Sequence, residues 1–87
     1  MQKFDYTVKD EIGIHARPAG LLVKTAAKFA SEITLTNNKN EKSADAKKLF
    51  SVMGLGVKSG DAVTVCAEGE DENEAVKGMK EFFETNL

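Results

Sequence analysis

The sequence of 87 residues predicts an α+β domain, in which a four-stranded antiparallel sheet carries three helices on one face. Four segments alternate apolar and polar residues, which is typical of strands with one face in solvent. Three other segments repeat apolar residues every three or four positions, which is typical of helices that bury one side. Because both kinds of element are apolar on one side only, helices and sheet must cover each other. The predicted order is β-α-β-β-α-β-α.

The N-terminal third contains the first strand and the first helix. Alternation from Phe4 to Val8 predicts a strand. Gly13 predicts a turn, and Pro18 suits the first turn of a helix because its missing N–H has no partner to lose there. The helix is predicted to end at about Phe29 or Ala30, and its apolar side consists of Ala19, Leu22, Val23, Ala26 and Ala30.

A hairpin is predicted next. Ile33 and Leu35 alternate with polar residues, which indicates a second strand. The cluster Asn37-Asn38-Lys39-Asn40 predicts a turn, since asparagine tolerates left-handed backbone geometry. A short third strand is then expected from about Glu41 to Ala44, and the two strands form the hairpin.

The C-terminal half contains a short helix, a strand and a long helix. Residues 47–53 are long enough for a short helix, and Gly54 follows as a stop signal. The fourth strand is predicted from Ala62 to Ala67. Acidic residues of 70–74 then fall in the first turn of a last helix, where they complement its dipole. Its apolar stripe consists of Ala75, Val76, Met79, Phe82 and Phe83.

Composition limits the possible functions of residues 1–87, which form one domain. The net charge of −2 gives no general attraction to nucleic acid. The chain has no membrane-length apolar run and no apolar leader, so we expect a cytoplasmic protein without membrane insertion. Cys66 is the only cysteine, which excludes an internal disulfide and a cysteine metal cluster. We expect a reduced structural thiol, no metal and no cofactor.

The segment around the only histidine carries the chemistry. His15 stands at or just before the start of the first helix, next to backbone N–H groups that have no partner in the helix. Such a terminus binds anions, and Arg17 adds a fixed positive charge for phosphate oxygens. The positive helix end favours the neutral, nucleophilic ring. The pattern indicates a phosphohistidine site, and the alternative is an ordinary solvated surface histidine.

The short helix carries more large apolar residues than one side can bury. Some of them are expected to be exposed, and an exposed apolar patch marks a binding surface. The alternative is a helix docked deeply into the core. The residues concerned are Leu49, Phe50, Val52, Met53 and Leu55.

These features resemble the HPr family, the histidine-containing phosphocarrier proteins of the phosphoenolpyruvate:sugar phosphotransferase system. The signature is Gly13-Ile14-His15-Ala16-Arg17-Pro18-Ala19, and the similarity extends from Phe4 to about Phe83. Supporting matches are Thr25-Ala26-Lys28-Phe29, the stretch from Leu49-Phe50 to Gly54-Leu55-Gly56-Val57, and Ala67-Glu68-Gly69-Glu70-Asp71-Glu72.

The resemblance implies an open-faced β-sandwich and a phosphocarrier rather than an enzyme. Nδ1 of His15 would accept a phosphoryl group from phosphorylated Enzyme I and pass it to IIA domains of sugar permeases. Arg17 and the backbone N–H groups of Ala16 and Arg17 would stabilise the phosphoryl oxygens. The resemblance favours the exposed-patch interpretation, with a docking face of Gly20, Lys24, Leu49, Phe50 and Met53 on a monomer.

One departure concerns regulation. Many relatives carry a serine at the start of the short helix, where a kinase phosphorylates it, and this chain has Lys48 there. That regulation is therefore in doubt, and Ser43 and Ser51 are the nearby candidates for a substitute. The hairpin from Asn37 to Lys42 is also about two residues longer than usual, a change that loops absorb easily.

Two other functions compete with the sugar-system carrier. The first is the same chemistry in a regulatory branch, such as a nitrogen-related phosphotransferase chain, which only the partners would distinguish. The second is a binding module for RNA. It is disfavoured by the acidic composition and by the absence of paired aromatics in a basic strand motif.

Overall fold

The computed structural model describes all residues from 1 to 87, and the predicted order of elements is confirmed. The chain forms four strands and three helices around one core. The elements are β1 (Gln2–Thr7), α1 (Ala16–Ala26), β2 (Glu32–Asn37), β3 (Lys42–Asp45), α2 (Leu49–Met53), β4 (Ala62–Glu68) and α3 (Glu72–Asn86).

The four strands form one antiparallel sheet in the order β1-β4-β2-β3. Burial alternates along the central strand β4, where Val63 and Val65 are buried and Thr64 is only half-buried. Cys66 lies on the same face as Thr64 and pairs with Lys3 of β1 and Thr34 of β2. The sheet thus has one polar face, which explains the alternating pattern of the strands.

The helices cover the other face of the sheet and form an open-faced sandwich. Phe83 of α3 is completely buried and packs edge-on against Phe4 and Tyr6, with ring centroids 6.0 and 5.5 Å away. These perpendicular contacts join α3 to the edge strand β1. The predicted stripe of α3 is confirmed: Ala75, Met79, Phe82 and Phe83 are buried and Val76 is partly buried.

The first helix is shorter than predicted and ends at Ala26 rather than near Phe29 or Ala30. The N–H groups of Lys28 and Phe29 donate to carbonyls three residues earlier, which tightens the last turn. The N–H of Ala30 donates instead to the Asp71 carboxylate, 2.8 Å away. A tertiary contact therefore captures the amide that would continue the helix.

The hairpin forms at the predicted turn, and the residue with left-handed backbone geometry there is not one of the asparagines. Glu41 is the residue with a positive φ, at 58°. Asn37 is completely buried, and its Nδ2 donates to the Leu55 carbonyl at 2.9 Å. Its Oδ1 accepts the N–H of Lys39 at 3.1 Å. Asn37 thus connects the hairpin to the segment after α2. The local sequence pattern does not predict this contact.

Two boundaries after the hairpin differ from the prediction. Strand β3 covers Lys42–Asp45, one residue later than expected, and α2 begins only at Leu49. Asp45 makes a turn between them, because its Oδ1 accepts the N–H of Lys47 and its carbonyl accepts that of Lys48. This Asx-type turn occupies residues that were predicted to start the helix.

The longest helix, α3, contains 15 residues. No helix of the chain combines the length and the apolar character that a membrane span requires.

Candidate functional site

His15 occupies the N-cap position of α1, as predicted. Its backbone is extended, with φ −115° and ψ −173°, and its carbonyl accepts the first helical hydrogen bond from the N–H of Ala19 at 2.9 Å. The side chain makes no capping hydrogen bond and is 39% exposed. The backbone of His15 is therefore held by the helix, whereas its imidazole is accessible to a partner protein from the solvent.

The first two amides of α1 have no partner within the chain. The N–H groups of Ala16 and Arg17 donate no hydrogen bond to any other residue, and Pro18 has no N–H. Both donors belong to the positive end of the helix, where negative charge is stabilised. Arg17, whose side chain is exposed, belongs to the same first turn of α1. The predicted anion-binding groups are thus brought together beside His15.

The loop before His15 is held by backbone hydrogen bonds. The Leu87 carbonyl accepts the N–H groups of Lys9 and Asp10, at 2.6 and 2.8 Å. The Asp10 carbonyl accepts the N–H of Gly13, and the N–H of Ile14 donates to Val57, both at 3.0 Å. These bonds fasten the loop on two sides and place His15 at a fixed point of the surface.

Gly13 is required by its geometry. Its φ is +83°, which favours glycine, and an added Cβ would lie 2.6 Å from the Cα of Lys58. The loop therefore approaches the segment after α2 too closely for any side chain at this position.

His15 and Arg17 line a cleft of about 300 Å³. The sequence also singled out Pro18, but it did not indicate Asp10, Leu21, Thr85 or Asn86 as residues of this site. Leu21 could have been found, because it follows Arg17 by one helical turn. Two more come from the C-terminal end of α3, far away in sequence. The complete lining is Asp10, His15, Arg17, Pro18, Leu21, Thr85 and Asn86.

Asp10 is the one charged residue of the cleft that the sequence did not indicate. Its Oδ2 lies 3.6 Å from Nε2 of His15, which is slightly too long for a hydrogen bond but within ion-pair distance. Its position five residues before the histidine, across a glycine turn, is a signal that could have indicated it.

The predicted docking residues divide by exposure. Phe50 is 84% exposed and Met53 is 36% exposed. Leu49 is less exposed, because it packs partly against the core. Val52 and Leu55 are buried, so each of the two interpretations of the apolar excess holds for part of the segment. On α1, which packs against α2, the outward side carries Arg17, Gly20, Leu21 and Lys24.

The chain was compared with known proteins. Residues 2–85 match the family model described as the PTS HPr component phosphorylation site. The chain is 40% identical over 81 residues to the phosphocarrier protein HPr of Mycoplasma capricolum, which covers 93% of this chain and 89% of that protein. A crystal structure of HPr from Thermoanaerobacter tengcongensis has a TM-score of 0.90 at 40% identity, covering 98% of this chain and 93% of that one.

Fold and site together define a class of small open-faced sandwiches that present one accessible histidine beside unpartnered backbone amides at a helix N-terminus. The comparisons identify the family within that class. The chain belongs to the HPr family, the phosphocarrier proteins of the phosphotransferase system.

A monomer does not follow from this membership. A crystal structure of an HPr dimer from the same Thermoanaerobacter species also resembles the chain, with a TM-score of 0.76 at 40% identity, covering 98% of this chain and 95% of that one.

Proposed function

We propose that Nδ1 of His15 accepts a phosphoryl group from phosphorylated Enzyme I and passes it to IIA domains of sugar permeases. The observation that carries this proposal is the pair of unpartnered N–H groups, those of Ala16 and Arg17, beside an accessible histidine. Membership of the HPr family supports the same chemistry and the choice of partners.

The transfer is an exchange of one bond to phosphorus for another. The Nδ1 lone pair forms the new N–P bond while the bond between phosphorus and the donor breaks, and its electron pair stays on the donor. The phosphoryl oxygens accept hydrogen bonds from the two free amides and from the Arg17 guanidinium. No proton needs to leave Nδ1 if the proton of the neutral ring resides on Nε2.

The site suits a carrier because its hold on the phosphoryl group is moderate. His15 and Arg17 are both accessible to solvent, and two backbone amides supply the remaining donors. Hydrogen bonds at such exposed positions are weaker than in a dry site. A group held in this way is stabilised on the histidine but can still leave for the next protein.

Docking of both partners is assigned to the exposed side of α1 and α2. Phe50 and Met53 expose apolar side chains on α2, and Leu49 is partly buried against the core. Gly20 and Lys24 belong to α1, the helix that begins at the histidine. Exposed apolar side chains of this size are typical of protein contacts. A small patch also suits a transient complex, since large apolar interfaces dissociate slowly.

Lys48 stands at the N-cap of α2, where relatives with seryl regulation carry serine. A lysine has no hydroxyl to phosphorylate, so we expect no such modification at this position. Ser51, exposed on α2, and Ser43, exposed on β3, are the hydroxyls that stay candidates for a substitute.

The test is intact-mass measurement after incubation with active Enzyme I, magnesium and phosphoenolpyruvate. We expect one acid-labile phosphoryl group on the parent chain and none on His15→Ala, which keeps the fold because the ring is half-exposed and makes no hydrogen bond. Subsequent addition of a IIA domain should remove the group.

Phosphorylation of His15→Ala would overturn the assignment of the site. A parent chain that accepts nothing from an Enzyme I proven active on another HPr would exclude the sugar branch. A regulatory phosphotransferase chain would then be the next system to test.

A further inference from the structure

The cleft contains one acidic side chain whose position relates to the chemistry of His15. Asp10 is the only Asp or Glu with a carboxylate oxygen within 4.0 Å of a ring nitrogen of His15, and the nitrogen concerned is Nε2, at 3.6 Å. Neither ring nitrogen makes a hydrogen bond within the chain. The carboxylate therefore lies beside Nε2, whereas the proposed acceptor of the phosphoryl group is Nδ1.

The backbone holds Asp10 in place independently of its side chain. Its N–H donates to the Leu87 carbonyl at 2.8 Å, and its carbonyl accepts the N–H of Gly13 at 3.0 Å. The side chain makes no other polar contact, so its carboxylate has no competing partner in the structure. A third of it is exposed, which leaves the charge partly screened by water.

We propose that Asp10 is a positioning residue that selects the ring tautomer of His15 with the proton on Nε2 and the lone pair on Nδ1. A carboxylate attracts an N–H and repels a lone pair, so its place beside Nε2 favours the proton there. This inference rests on the proposed function, because it gives the reason why Nδ1 rather than Nε2 is the acceptor.

The role of Asp10 is the same in both directions of transfer. During uptake the proton stays on Nε2 while the Nδ1 lone pair forms the N–P bond and the bond to the donor breaks. During release the N–P electron pair returns to Nδ1 as phosphorus bonds to the acceptor. The ring ends as the neutral Nε2–H form from which it started, so no base has to remove a proton.

The direct test is nitrogen NMR of the His15 ring in the unphosphorylated chain at about pH 9, where a histidine ring is neutral. We expect the parent chain to show a protonated Nε2 and an unprotonated Nδ1. Asp10→Ala should increase the population of the Nδ1–H tautomer. Glu11→Ala is the matched control, since it removes the same charge from the adjacent, exposed residue.

Uptake from phosphorylated Enzyme I gives a second readout. We expect Asp10→Ala to slow uptake by up to about fivefold, the range of a partly exposed charge pair, and the difference should shrink in high salt. Asp10→Asn keeps an oxygen acceptor without the charge and should restore part of the tautomer preference. Circular dichroism should find all three variants folded, because Asp10 and Glu11 make no side-chain contact on which the core depends.

The inference is overturned if the parent ring carries its proton on Nδ1, or if Asp10→Ala leaves the tautomer populations unchanged. An equal shift in Glu11→Ala would also overturn it, because the effect would then be one of general charge. A tautomer shift in a chain that takes up no phosphoryl group would instead refute the proposed function and leave the Asp10 contact standing.

Discussion

Asp71 and Ser31 are joined by two hydrogen bonds although 40 residues separate them. The Asp71 carboxylate accepts the backbone N–H of Ser31 at 2.9 Å and also its hydroxyl. A third bond comes from the N–H of Ala30 at 2.8 Å. The first residue before α3 thus fastens the segment that leaves α1, and it fixes the two longest helices relative to each other.

Removal of the Ser31 hydroxyl should weaken this connection. Ser31 is almost completely buried, and Ser31→Ala leaves the Asp71 carboxylate with two of its three donors. We expect a loss of about 1–2 kcal/mol in the free energy of unfolding, measured by urea denaturation. Ser59→Ala, in an exposed turn, is the control and should change stability little. Equal stability of Ser31→Ala and the parent chain would show that the hydroxyl contributes nothing.

The same cluster predicts a pH dependence of stability. The hydroxyl of Ser31 and then the N–H of Ala30 stabilise the ionised carboxyl, so the pKa of Asp71 is lowered from its ordinary value. A group whose pKa is lower in the folded chain stabilises the fold above its unfolded value of about 3.9 and loses that effect as pH falls. The contribution should be complete above about pH 5, begin to decline near the unfolded value of about 3.9, and be lost only as the pH falls through the lowered pKa of the folded chain.

The measurement compares the parent chain with Asp71→Asn and with Glu70→Gln, which removes a charge from the adjacent exposed residue. The difference in unfolding free energy between the parent and Asp71→Asn should be constant from about pH 5 to 7 and shrink below about pH 4. Glu70→Gln should follow the parent chain throughout. A difference that stays constant down to about pH 2.5 would contradict the assigned pKa shift.

Gly13 should tolerate no side chain. Gly13→Ala places a Cβ against Val57 and Lys58 at a φ of +83°, so the loop before His15 has to move. We expect a loss of about 1–3 kcal/mol, together with slower phosphoryl uptake, measured by thermal unfolding and intact mass.

Gly20→Ala is the contrasting variant for Gly13. No atom lies within 4 Å of its added Cβ, and it occupies a helix interior, where alanine is favoured over glycine by about 1 kcal/mol. Gly20→Ala should therefore raise stability. If both alanine variants changed stability equally, the close approach at Gly13 would not be the cause.

Loss of the Arg17 guanidinium should slow transfer without abolishing it. The unpartnered N–H groups of Ala16 and Arg17 remain in Arg17→Ala, so the phosphoryl oxygens keep two donors. We expect uptake from Enzyme I to fall by about 10- to 100-fold, the range of a charge-assisted hydrogen bond. Rapid-quench measurement would detect it. Arg17→Lys should recover part of the rate, and an unchanged rate in Arg17→Ala would remove Arg17 from the site.

Phe50 should contribute to docking and little to stability. Its side chain is 84% exposed, so Phe50→Glu removes almost no core contact. We expect weaker binding to Enzyme I in calorimetry and a nearly unchanged melting temperature. Asn73→Glu adds the same charge to the exposed side of α3 and is the matched control. Equal affinity of the parent chain and Phe50→Glu would refute the docking face.

The sequence by itself determined the order of elements and the position of the candidate site. Alternation in the strands and helical spacing in α1 and α3 are local properties, because they follow from the direction in which each side chain leaves the backbone. His15 at the N-cap and the free amides of Ala16 and Arg17 are equally local, since every helix leaves its first N–H groups unpaired.

Only the tertiary structure decided the contacts between distant segments. The chain after α1 does not continue as a helix to Ala30, because the Asp71 carboxylate accepts the N–H of Ala30. The buried amide of Asn37 has its partner in the distant Leu55 carbonyl. The carboxylate of Asp10 reaches His15 because the Leu87 carbonyl and the Gly13 turn hold its loop. Such hydrogen bonds join groups that are far apart in sequence or separated by a turn. Their geometry forms only when the chain folds, so a local sequence pattern cannot predict it.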